Sequence, residues 1–146
     1  MIAALVRKSR AALDVGVAAL AVARARRRIA RRPVGALVGS SRDVTMPEGT
    51  PRALAPDAFQ RGLRWGAAVD RALRWLPGDA ACLVRASALH ELLVSRGLPG
   101  AVVRIGVRRD ANGFAAHAWV ELDGTPIAEF VSLPGAFSSL DGVTLR

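Results

Sequence analysis

Residues 82–122 read CLVRASALHELLVSRGLPGAVVRIGVRRDANGFAAHAWVEL, and the change of pattern inside this stretch decides the fold. Up to Ser95 the apolar residues recur at helical steps. Leu83, Ala86, Leu89 and Leu93 make one stripe, with Leu92 beside it. Asp79, after the breaker Leu76-Pro77-Gly78, is the expected N-cap, and Gly97 with Pro99 is the expected stop. Beyond Gly100 the period becomes two. Residues 101–107 put Val103, Ile105 and Val107 on one face, and a turn over 108–113, carrying Asn112-Gly113, leads to a strand over 114–122. There Phe114, Ala116, Ala118, Val120 and Leu122 share one face; Ala115, His117, Trp119 and Glu121 share the other. A helix running into a hairpin predicts an α+β fold, with that helix packed on an antiparallel sheet of three or more strands.

Working outward, residues 57–75 predict a second helix with Asp57 as its N-cap. Trp65, Val69, Ala72 and Leu76 supply its better apolar face, and Trp65 and Trp75 are expected in the core or in a groove wall. Residues 34–56 hold Gly, Ser and three prolines and read as an irregular connector. Residues 2–32 lack proline and are rich in Ala, Leu, Val and Arg, which predicts one long helix or two shorter ones ending at Pro33. The expected division is a basic helical arm at 1–33, a connector at 34–56 and a catalytic-type domain at 57–146. The tail from Ser132 has no regular pattern; it is expected to add an edge strand or fold over the sheet.

The charge is unevenly placed. Of 21 Lys and Arg in a chain of net charge +9, nine fall within residues 1–33 against one acid, Asp14. The body is close to neutral, so the basicity belongs to the arm, which is fitted to nucleic acid, anionic lipid or an acidic partner, or is simply a solvated Arg-rich helix. The least charged part of the arm, Ala11 to Ala23, contains Asp14 and Gly16 and is too short for the ~20 apolar residues of a membrane span. Asp14 also speaks against reading that run as a secretory signal. One cysteine excludes an internal disulfide framework, and one Cys with two His is too small a set for a typical structural zinc site. No metal or other cofactor is expected. An unpaired thiol fits a reducing compartment, so the cytoplasm is the expected location.

Three residues carry chemistry. Cys82 falls in the first turn of its helix, where the helix dipole favours a thiolate, and Arg85 one turn on is a candidate supporting cation. Lone cysteines are, however, commonly small buried hydrophobes. His117 is on a strand, with Trp119 on the same face as a candidate wall of a substrate site, although strand histidines are often structural. His90 lies along the same helix as Cys82, about 12 Å away by helical rise, and cannot serve that thiol. Among the acids, Glu121 is about 13 Å along the strand from His117. Glu129 depends on the turn at Asp123-Gly124. A two-residue turn leaves Ala118 opposite Glu129, whereas a bulged three-residue turn pairs Glu121 with Thr125 and sets Glu129 opposite His117. The bulged turn is the one expected. A thiol, an imidazole and a carboxylate of this kind are the parts of a thiol hydrolase.

The stretches RWLPGDAACLVRASALHELLVSRGLPG, RIGV and GFAAHAWVELDG, with the acid that follows, resemble the transglutaminase-like cysteine proteases of lasso peptide biosynthesis, which remove the leader from the precursor. The Cys-Leu-x-Arg-Ala start and the Ala-His-Ala-Trp-Val-Glu run carry the resemblance together; the second alone would indicate the broader superfamily. The resemblance implies a transglutaminase-like, papain-like core, with Cys82 as nucleophile, His117 as general base and Glu129 where that family usually has Asp. It also implies partners: the precursor leader, a small leader-recognition protein, and the lasso cyclase. Two other readings stand beside it. One is acyl transfer of the transglutaminase type by the same triad; the other is a non-enzymatic nucleic-acid-binding module acting through the arm.

Overall fold

The computed structural model describes residues 2–31, 55–78, 82–110, 113–128 and 138–139. Among these residues three helices, α1 (Ile2–Arg31), α2 (Pro56–Trp75) and α3 (Cys82–Ser95), precede four strands. The strands are β1 (Ala101–Asp110), β2 (Gly113–Leu122), β3 (Thr125–Pro126) and β4 (Ser138–Ser139), in the sheet order β3-β2-β1-β4. The fold is α+β, as the pattern predicts. The connector at 34–56 falls almost wholly outside the described residues, as do Asp79 and its expected cap. The short pairing of β4 with β1 (Gly106 with Ser139, Val107 with Ser138) gives the tail the edge-strand role expected of it.

Helix α3 is the centre. It packs on α1 and α2 on one side and on β1 and β2 on the other. Val84, Ala86, Ala88, Leu89, Leu92 and Leu93 are all buried, which is wider than the single stripe of the sequence reading; Leu83 is only partly buried. A helix enclosed from two sides buries apolar residues around most of its circumference. Its end follows the expected chemistry: Gly97 is left-handed (φ 78), and Leu98 N–H donates to Leu93 O at 2.9 Å, closing a Schellman motif.

The start of α2 differs from expectation. Ala55 is the N-cap, with no side-chain capping bond, and Pro56 follows inside the first turn with Asp57. Proline's fixed φ and missing N–H suit the first helical position, and Asp57 then faces the positive end of the dipole without capping it. Trp65 is buried, with the Arg96 guanidinium 4.6 Å above its ring. Trp75, expected in core or groove, is 84% exposed instead: it lies on the last turn of α2, off the face on which Val69, Ala72 and Leu76 meet the core.

The N-terminal helix is one helix and part of the core. Ala18, Ala21, Val22 and Ala25 are buried against the body, so its inner surface is an alanine and valine stripe, while Leu13 and Leu20 are exposed. Polar contacts fix it at three places. Arg64 on α2 donates from Nε and Nη2 to the two Asp14 oxygens at 2.6 and 2.7 Å. Arg24 and Arg28 reach Glu91 on α3, and Arg26 donates to the carbonyls of Pro77 and Gly78. Asp14, which interrupts the apolar run in sequence, is thus an anchoring residue. Among the described residues no helix is long and apolar enough to cross a membrane.

His90 is half-buried on α3. Burial pushes its pKa below the ordinary 6.5; a hydrogen bond to the Ala101 backbone opposes this, Arg28 lowers it further and Glu91 raises it. A depressed folded-state value means the unfolded chain takes the proton first as pH falls. The stability contributed by the neutral ring is therefore complete above about 6.5 and is lost as pH falls from there through the folded value. Urea midpoints measured from pH 8 to 5 should fall more steeply for the wild type than for His90→Gln. In the same assay Leu89→Ala should cost about 2–5 kcal/mol, whereas Leu20→Ala on the outer side of α1 should stay within about 0.5 kcal/mol.

Candidate active site

Cys82 is the first residue of α3 described and carries a free thiol. It is partly buried and packs at the margin of the core. α3 is packed against α1, α2, β1 and β2, so the core sets the position of its head.

His117 lies on β2 opposite Gly106 of β1, a residue with no side chain to crowd the ring. It is partly buried, and its ring stacks on Trp119 with centroids 6.2 Å apart and planes inclined by 14°. Trp119 is held in turn. Its indole Nε1–H donates to Glu121 Oε1 at 3.0 Å, and Arg104 Nε donates to Glu121 Oε2 at 3.0 Å. Glu121, too far along the strand to serve His117, has no expected role in the sequence. The signal for its role is present in the strand pattern: Glu121 is two residues from Trp119 on one face, and Arg104 sits on the neighbouring strand directly opposite Trp119. Ala118, Val120 and Leu122 enter the core on the α3 side, and strand alternation places His117, Trp119 and Glu121 on the other face. The structure thus gathers Arg104, Glu121, Trp119 and His117 into one row on β1 and β2, and Cys82 stands at the head of α3, the helix packed against these two strands.

The turn after β2 corrects an expectation. Leu122 pairs with Thr125 and Glu121 with Pro126, so Asp123-Gly124 is a two-residue turn without the expected bulge. Both residues have positive φ, 49 and 81, the requirement of a type I′ hairpin, whose twist matches that of the flanking strands. The irregularity comes later. Ile127 N–H still donates to Val120 O at 2.9 Å, but Ala128 is left-handed at φ 56. Glu129 itself lies outside the described residues.

Ala128 is nevertheless closely held. Gly66 of α2 approaches it so tightly that a Cβ at position 66 would collide with the Ala128 methyl group. Arg85 donates from Nη2 to the Ala128 carbonyl at 2.6 Å and from Nε and Nη2 to Asp70 at 2.7 and 3.2 Å. Arg85, proposed from sequence as a cation for the thiol, therefore has described partners in Asp70 and the backbone just before Glu129. A cavity of about 610 Å³ opens beside this point, walled by Phe59, Leu63 and Ala67 of α2 and by Pro126 and Ala128. Among the described residues no three of His, Cys, Asp and Glu cluster as a metal site.

A model of the transglutaminase-like superfamily matches residues 3–141. The protein belongs to this superfamily, whose members are generally cysteine peptidases and acyl transferases. Neither the curated proteins nor the solved structures provide a match to the chain.

The row of contacts behind His117 gives a direct expectation. The Trp119 indole N–H should exchange slowly with solvent in the wild type and much faster in Glu121→Ala, as read from its NMR resonance, while the Trp65 resonance is unchanged.

Proposed function

We propose that this protein is a cysteine peptidase that removes the leader from a lasso peptide precursor in the cytoplasm, acting with a small leader-recognition protein and a cyclase. The observation that carries the proposal is a free thiol at the head of α3, with α3 packed on the strand bearing the His117–Trp119 stack, in a chain of this superfamily. The Cys-Leu-x-Arg-Ala and Ala-His-Ala-Trp-Val-Glu runs supply the narrower likeness to the leader peptidases.

In the reaction the Cys82 sulfur attacks the carbonyl at the leader–core junction and its proton passes to His117. The leaving amine takes that proton, and water then attacks the acyl-enzyme with His117 as base. The Cys82 backbone N–H, at a helix start, is the natural first donor to the oxyanion. Trp119 shields one face of the imidazole, and Glu129 is the proposed third member. This chemistry requires the sulfur and the imidazole to come within hydrogen-bond reach during the cycle. Acyl transfer by the same residues is the second reading, favoured by a superfamily match that includes transferases.

Mass spectrometry of the precursor incubated with this protein and the recognition protein should show release of the intact leader. Cys82→Ala and His117→Ala should each lower the rate by about two orders of magnitude or more, and Glu129→Ala should lower it by less. Incorporation of an added amine at the cut carbonyl, in place of water, would establish transfer instead of hydrolysis. Cleavage that survives Cys82→Ala would refute both readings.

A further inference from the structure

The outer side of α1 has an order that neither the core nor the active-site proposal uses. Arg10, Leu13, Val17, Leu20, Arg24, Arg27 and Arg31 follow one another at alternating steps of three and four, and all seven are exposed. Leu13 is 71% exposed, Val17 37% and Leu20 52%, all three among the few large apolar side chains left in solvent among the described residues. This spacing is the seam of a helix that expects a second helix along it. It is a separate row that runs beside the buried stripe of Ala18, Ala21, Val22 and Ala25, which face the body. The seam spans about 32 Å by helical rise. Its apolar centre is bounded by Arg10 before and by the arginines from Arg24 onward after. Among the described residues Arg10, Arg27 and Arg31 have no ion pair, and Arg24 has only a long contact to Glu91 at 3.4 Å.

Charge decides the occupant. A second copy laid antiparallel would bring Arg24 against Arg10, and a parallel copy would set each arginine against itself; both are repulsive. A flat membrane would touch only a narrow ridge without aromatic residues, because the opposite side of α1 is fixed to the body. An amphipathic helix with apolar residues facing Leu13–Leu20 and carboxylates facing the arginines satisfies every position. We infer that the outer seam of α1 docks an acidic amphipathic helix of a partner protein. Where the proposed function holds, that partner is the leader-recognition protein, and only this identity rests on that proposal.

The test uses the full chain and the recognition protein, with binding followed by calorimetry. The variants are Leu13→Ser/Leu20→Ser and Arg27→Glu/Arg31→Glu, each checked for unaltered thermal unfolding. Wild-type binding should weaken steeply with salt, and each variant should lose about tenfold or more in affinity. Leader cleavage by the variants should return at high recognition-protein concentration, since the active residues are untouched. Unchanged affinity in both variants would overturn the inference, as would absence of wild-type binding. Seam-dependent binding to vesicles of equal parts phosphatidylcholine and phosphatidylglycerol, without protein binding, would also overturn it. A wild type that binds through the seam yet cleaves no precursor would refute the peptidase proposal and leave the docking seam standing.

Discussion

Everything in this fold depends on the burial of α3 from two sides. Leu89 and Leu93 are fully buried, between α1 and α2 on one flank and the β1–β2 hairpin on the other. Apolar area removed from water is the main term in stability, and here one short helix collects it from every neighbouring element. The same enclosure has a chemical result. The core that α3 packs into also positions the residue at its head, Cys82.

The N-terminal helix completes the enclosure, which changes the meaning of its charge. Arg24, Arg26 and Arg28 contact Glu91 and the loop carbonyls at 77 and 78, and Asp14 takes a bidentate bond from Arg64. Exposed ion pairs contribute little individually, but they select one orientation for a helix whose alanine stripe alone has little shape to register it. The remaining arginines and the exposed leucines lie on the outer side, where they are available for association. Structure thus divides the basicity of residues 1–33 into an anchoring part and a surface part, a division invisible in the net charge.

Much of the architecture was legible. The switch from helical to alternating period between Ser95 and Ala101, the stop at Gly97 and the Asp-Gly turn all have strong local causes. What was not legible depends on packing or on single backbone angles. The burial of Val84 and Ala88 follows from α3 being covered twice, which its own sequence does not state. The bulged turn expected at Gly124 would set Glu129 opposite His117; the Asp-Gly pair instead takes the two-residue turn that its own chemistry favours. The left-handed Ala128 has no sequence signal, since alanine gains nothing from positive φ and is kept there by Arg85 and by the room Gly66 leaves. For the site, Cys82 and His117 stood out as rare residue types at defined places. The linkage of Trp119 to Glu121 and Arg104 needed the strand register, which fixes who faces whom.

The central claim is that the thiol fixed at the head of α3 and the imidazole on β2 act as one unit. Covalent trapping reads this most directly: a leader peptide ending in an aldehyde at the cut position, incubated with wild type and with His117→Ala, and followed by mass spectrometry and by the rate of adduct formation. The account predicts a single adduct at Cys82, formed at least about tenfold faster when His117 is present. Adduct formation at the same rate without His117, or none at Cys82 at all, would contradict it.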